Sequence, residues 1–254
     1  MLERSAPADA LLYLGDHIEG YTDDEARLDA QWSHFLDNEF RPLHERYRRL
    51  LHVAGNHDAN TRISAAICEA RMPIPPEARL RKNLNYVVDL GDAEIVVIST
   101  CDLANRGFAT IDMDWLEAAL DSLSAPIRLV AGHYPFHPVN GYTEVPKWVF
   151  AAEQRAQAWR LFKQAGVQAY LCSHIIAFDV QVHDDIVQLC SGGAGTEYGP
   201  DGVMGPGEFR HFVTCTVSPE RFVFEAIDEN GRPRETGCLS FATKSRLPSA
   251  AGTR

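Results

Sequence analysis

LLYLGDHIE, residues 11–19, is an apolar run that breaks abruptly into a glycine, a carboxylate and an imidazole. The same change recurs at three other places. LLHVAGNHD covers residues 50–58, IRLVAGHYP covers 127–135, and AYLCSH ends at His174 and runs on into Ile175 and Ile176. A short apolar run closed by glycine or serine reads as a buried strand followed by a turn. In open α/β sheets, ligands gather beyond the carboxyl ends of strands. Four separate segments would therefore deliver Asp, Asn and His side chains to one edge of a sheet.

Between these motifs the chain alternates strand-like and helix-like patterns. Residues 10–15 read as a buried strand. Residues 23–49 carry helical spacing through Leu28, Trp32, Phe35, Leu36 and Phe40, with a break expected at Pro42. Asp23 to Glu25 suit the first turn of that helix. Residues 60–82 are mixed and contain a PIPP loop at 73–76. NYVVDLGDAEIVVIST reads as a hairpin turning at Gly91-Asp92. Residues 112–123 form a short amphipathic helix, with Trp115 as core packing. A long loop then passes Pro138, Asn140 and Pro146. A helix over 151–165 ends at Gly166. Two further hairpins turn at Asp184-Asp185 and Pro219-Glu220. The expected architecture is α/β, two mixed sheets packed together with helices outside, in one domain over residues 1–240, with 241–254 a loose tail.

Composition narrows the function. The chain has 254 residues, is 45% hydrophobic and 23% charged, and carries a formal net charge of -11, which fits a soluble globular protein and argues against a nucleic-acid-binding surface. No apolar run approaches the length of a membrane span, and MLERSAPAD has no signal-peptide pattern. A cytoplasmic location is the default expectation. The 6 cysteines match no zinc motif; Cys101, Cys172, Cys190 and Cys215 lie in apolar runs and read as buried thiols.

The order and residue types of the four motifs resemble the calcineurin-like metallophosphoesterases. LLHVAGNHD, LVAGHYP, AYLCSH and SGGAG are similar to segments of the tartrate-resistant purple acid phosphatase branch, with the cyclic-nucleotide phosphodiesterase-like branch a near competitor. The resemblance runs from about residue 10 to residue 230. It implies a four-layer α/β/β/α sandwich. It also implies two adjacent metals activating the water that attacks phosphorus, since two cations screen the anionic ester and clamp both reacting oxygens. By the same resemblance, Asp16 bridges the metals, and Asn56, His133 and His174 complete the second metal's ligands. His57 lies beside the scissile oxygen. Glu19 holds the position that pairs with that histidine, where the purple branch needs a Tyr.

Two departures accompany the resemblance. The family's opening Asp-x-His motif, on a strand before GDHIE, has no counterpart here, so a missing first strand is expected. Ile176 stands where the fourth motif has a histidine, and isoleucine offers no donor atom. The first metal thus keeps only Asp16 unless His17, Asp179, His183 or His211 substitutes. One divalent transition metal per chain, Mn, Fe or Zn, is expected. In the competing reading the four ligands simply hydrogen-bond to one another. His137 reads as an exposed loop residue, with substrate contact as the alternative. His34, His44 and His52 read as surface or partly buried. The function the resemblance implies is metal-dependent hydrolysis of a phosphate mono- or diester, with a small phosphorylated substrate as the partner. The alternatives are an impaired relative that binds a phosphorylated ligand or a protein partner, and a fragment of a larger active enzyme.

Overall fold

A computed structural model describes residues 8–47, 49–103, 108–139, 150–194 and 207–241. Strands β1 (Leu11–Tyr13) and β2 (Leu50–His52) pair in parallel. Between them run helix α1 (Glu25–Phe35), a π-helical turn (Leu36–Phe40) and the short α2 (Arg41–His44). Helix α3 (Arg62–Arg71) leads to β3 (Arg79–Lys82), β4 (Asn85–Asp89) and β5 (Ala93–Val97). Helix α4 (Met113–Asp121), β6 (Ile127–Ala131), α5 (Ala152–Ala165) and β7 (Ala169–Cys172) follow. The chain then forms β8 (Phe178–His183), β9 (Ile186–Ser191), β10 (His211–Val217), β11 (Arg221–Asp228) and β12 (Pro233–Ser240).

The larger sheet has seven strands in the order β3-β4-β5-β6-β7-β9-β8. Its centre, β5 to β9, is parallel and its edges are antiparallel. One face packs on α4 and α5 through Trp115, Leu116, Trp159 and Phe162. The other face, with Ile95, Val97, Leu129 and Leu189, packs on Leu51, Val53, Phe222 and Phe224 of the second strand layer. Leu28, Trp32 and Phe35 of α1, Cys68 of α3 and Met72 just after it close the outside. This is the expected four-layer sandwich. Its second strand layer comes in two pieces, β1-β2 and β10-β11-β12, with no ladder between them among the described residues. β1 is half-buried rather than enclosed, having only β2 as a strand neighbour there.

Local chemistry explains most boundaries. Asp24 caps α1 by accepting from the Arg27 N–H, and Asp112 caps α4 through the Trp115 N–H. Thr61 and Ser64 form a capping box at α3. Gly166 ends α5 in the left-handed region at φ 72°, and the β8–β9 turn uses φ 52° at Asp184 and 65° at Asp185. Pro42 does not break the helical run. The π-turn before it widens the coil, so Pro42 falls in the first turn of α2, where its missing N–H is not needed. Strand β12 lacks alternating apolar residues and escaped the sequence pattern; it is held by backbone pairing to β11. All six cysteines are free; Cys215, expected to be buried, is exposed. Asn140, Pro146 and residues 242–254 lie outside the described residues.

Candidate metal centre

Each motif begins just past a strand's carboxyl end: β1 before Asp16, β2 before Asn56, β6 before His133 and β7 before His174. The two parallel pairs β1-β2 and β6-β7 belong to the two facing sheets, so their ends meet at one edge of the sandwich. The loops are laced together there. His133 Nδ1 donates to the Leu14 carbonyl at 2.7 Å, and Ser173 N–H donates to the His133 carbonyl at 3.0 Å. Thr100 Oγ1 accepts from the backbone N–H groups of His133 and Tyr134, both at 3.2 Å.

The fully buried carboxylate of Asp58 organises two of the loops. It accepts the backbone N–H groups of Asp16, His17 and Gly55, each at 2.9 Å, and of Ile18 at 3.3 Å. It also takes His17 Nδ1 at 2.8 Å. A carboxylate sharing five donors replaces the water those N–H groups would otherwise need. Sequence reading passed over Asp58, although it is the last letter of GNHD. The backbone is forced as well. Asp16 sits at φ 59° and His174 at φ 65°, a region that disfavours side chains and recurs at functional sites.

The four side chains converge. Asn56 Oδ1 lies 2.9 Å from His133 Nε2 and 2.8 Å from His174 Nδ1. The two imidazole nitrogens are 3.2 Å apart, and Asp16 Oδ2 is 3.2 Å from His133 Nε2. One ligand atom each from Asp16, His133 and His174 falls within 4.8 Å of the others. Because His133 Nδ1 donates to a carbonyl, Nε2 is the nitrogen that faces Asn56 Oδ1 and Asp16, and it offers them a lone pair whenever the ring is neutral. Convergent oxygen and imidazole acceptors fit a divalent transition metal of the Mn, Fe or Zn type. His174 Nε2 is buried and has no hydrogen-bond partner among the described residues.

Electrostatics agree with that fit. Burial opposes charge on Asp16, but the His133 imidazole, together with the ring and backbone N–H of His57, outweighs it and holds the carboxyl below its ordinary range. Burial likewise opposes charge on His133, and the Asp16 carboxylate outweighs it and raises the imidazole. Burial, then the neighbouring His133, pushes His174 down to about 3, so it stays neutral and free to ligate. Negative potential that draws a proton onto His133 would also favour a cation, whose binding would displace that proton.

His57 and Glu19 meet differently from expectation. His57 Nδ1 bonds to the Glu19 main-chain carbonyl at 2.7 Å, not to its carboxylate. That carboxylate turns outward to Arg27 at 2.8 Å and Gln31 at 3.0 Å on α1. The His57 N–H also donates to Asp16 Oδ1 at 3.0 Å. None of the four substitute ligands joins Asp16 among the described residues. His17 bonds Asp58 and His52, Asp179 accepts from Gln181, His183 bonds Gln181, and His211 bonds the Phe209 carbonyl. Ile176 is half-buried, with its Cα against Gly192. His52 is fully buried, and His137 is half-buried, stacked at 3.6 Å on His183. Sequence reasoning also missed Tyr21, whose hydroxyl lies 2.5 Å from Asn56 Nδ2; an isolated tyrosine in a loop carries no spacing signal.

Comparison with known proteins places this geometry. The family profile of calcineurin-like phosphoesterases matches residues 1–178, a span that contains all four motifs. No curated protein sequence matches the chain. Among solved structures, a dimetal phosphatase from Danio rerio is similar with a TM-score of 0.59 at 14% identity, over 92% of this chain and 84% of that one. GAP50, the anchor in the inner membrane complex of Plasmodium, is similar with a TM-score of 0.55 at 15% identity, over 93% and 89%. At such identities these likenesses speak for the fold, while the profile match extends over most of the chain. The chain belongs to the calcineurin-like phosphoesterase family.

Proposed function

We propose that the chain is a metal-dependent phosphoesterase that hydrolyses a phosphate mono- or diester. One divalent transition metal, Mn, Fe or Zn, would be held by Asp16, Asn56, His133 and His174. The observation that carries this reading is the convergence of Asn56 Oδ1, His133 Nε2, His174 Nδ1 and Asp16 Oδ2 at one sheet edge. When bound, the cation supplies Lewis acidity, drawing charge from a phosphoryl oxygen and making water a stronger acid. His57 is the proton donor for the leaving oxygen. A carbonyl can only accept, so Nδ1 keeps its proton against Glu19 and Nε2 is the atom that gives one up. Glu19 acts through its main chain, orienting that ring. Asp16 ties the His57 loop to the centre through the His57 N–H.

A second reading, a chain that binds a phosphorylated ligand without turning it over, draws on the lone Asp16 carboxylate. No further His, Cys, Asp or Glu ligand gathers there among the described residues. Metal titration of the stripped protein, with turnover of p-nitrophenyl phosphate and bis(p-nitrophenyl) phosphate, separates the readings. We expect at most one tightly held equivalent and weak turnover that requires it. Both should fall by roughly 100-fold or more in His133→Ala and Asn56→Ala. One equivalent with phosphate binding but no turnover selects the second reading. Turnover unchanged in both variants overturns the first, and two equivalents that survive chelator competition overturn the single centre.

A further inference from the structure

Tyr21 is half-exposed, at 50%, yet its hydroxyl reaches Asn56, which is only 3% exposed. Its ring stands edge-on to His57, with centroids 4.4 Å apart and planes at 86°. It belongs to none of the three hydrophobic clusters, so the ring does nothing for the core. Its backbone is left-handed at φ 51°, directly after Gly20 at φ 60°, a conformation that asparagine or glycine would adopt more easily. The loop is nonetheless tightly held. The Gly20 N–H donates to Gln31 Oε1 at 3.0 Å, and a Cβ on Gly20 would lie 1.7 Å from the His57 carbonyl oxygen. A large ring is thus held at a left-handed backbone position, against Asn56 and His57 of the centre.

We propose that Tyr21 is a substrate-binding wall of the centre and selects phosphoesters whose leaving group is a flat aromatic ring. The inference rests on the phosphoesterase reading above. A leaving oxygen protonated by His57 lies within hydrogen-bond reach of that ring, so the group attached to it must run past Tyr21. The tyrosine hydroxyl is tied to Asn56, its ring is perpendicular to that of His57, and half of the residue's surface is exposed, enough for a ring face to meet a ligand. A planar leaving group can stack on that face, whereas a puckered aliphatic ring of similar size cannot.

Matched, hydrolysis-inert ligands test this by binding rather than turnover. Benzylphosphonate and cyclohexylmethylphosphonate differ mainly in ring planarity, and inorganic phosphate reports the centre alone. Dissociation constants are measured by calorimetry on the full chain loaded with Mn, as wild type, Tyr21→Phe and Tyr21→Asn. Asparagine suits the left-handed backbone, so ring loss is separated from loop strain, and thermal midpoints check that each variant is folded. We expect benzylphosphonate to bind about fivefold or more tightly than its saturated partner in wild type and Tyr21→Phe. That ratio should fall to about one in Tyr21→Asn. Equal binding of the two phosphonates in wild type, or an unchanged ratio in Tyr21→Asn, overturns the wall while phosphate binding leaves the phosphoesterase reading standing. Should none of the three ligands, inorganic phosphate included, bind the metal-loaded protein, both fall.

Discussion

Gly55 offers no side chain to a metal, yet the centre depends on its having none. A Cβ there would lie 2.1 Å from Asp16 Oδ1 and 2.3 Å from the Asp16 nitrogen. Because one of those contacts is backbone, no rotamer change relieves it. The Asp16 loop must shift, and it is already pinned by Asp58. Gly55→Ala is therefore expected to weaken metal binding about tenfold or more, as loss of a supporting contact does, without removing a ligand. Its fold should survive with a loss of about 1–3 kcal/mol, the usual effect of overpacking. Metal titration and thermal unfolding of the variant check both statements. Unchanged affinity would show that Asp16 is not a ligand. At this scale the side chains that converge could be read from sequence because each sits in a short motif. Asp58 as organiser could not, because all its donors but the Gly55 N–H come from a segment about forty residues away.

Helix α1 reaches the centre although it carries none of its ligands. Both ends of the Gln31 amide grip the loop after Asp16: Oε1 accepts from the Gly20 N–H, and Nε2 donates to the Glu19 carboxylate, each at 3.0 Å. The Glu19 carbonyl between them fixes His57. Gln31→Ala should then leave metal affinity alone and blunt proton donation. Turnover of phenyl phosphate, whose leaving oxygen is basic and needs a proton, should fall roughly tenfold more than that of p-nitrophenyl phosphate. An equal fall for both substrates would mean that α1 supports the loop without orienting the imidazole. The helix itself was legible from Leu28, Trp32 and Phe35 at helical spacing, which are its buried residues. What it holds was not, because Gln31 and Glu19 meet across a turn whose path only the folded backbone sets. The same limit explains Pro42, where the sequence shows a helix breaker but not the π-turn that accommodates it. It explains β12 too, a strand made by its neighbour rather than by its own pattern.

Across the whole molecule, burial has been applied unevenly to histidines, and stability should carry the mark. Burial pushes His137 down to about 4 and His174 down to about 3, and it also lowers His52 and His211. Only His133 moves up, drawn by Asp16 against its burial. A histidine lowered in the folded state takes up its proton mainly on unfolding once pH falls below about 6.5. The unfolded chain then binds more protons, so stability rises with pH and is lost as pH falls from about 6.5 toward 4. His133 acts oppositely: its contribution is full below about 6.5 and disappears as pH rises through its raised value. Four residues against one give a net fall in acid. Asp16, held below the ordinary carboxylate range, adds nothing in this window, since its contribution is lost only below about pH 4. With chelator present to remove metal linkage, the thermal midpoint should drop steadily between pH 7.5 and pH 4.5. A full proton would steepen the curve by about 1.4 kcal/mol per pH unit. His137→Phe keeps a flat ring against His183 and Trp159 and removes a buried Nε2 that has no hydrogen-bond partner among the described residues. It should flatten the curve by clearly less than one proton's worth, because His137 is only half-buried and solvent screens its charge. A midpoint independent of pH in that window, or a curve made steeper by His137→Phe, would mean that these histidines are not held neutral by the packing that surrounds the centre.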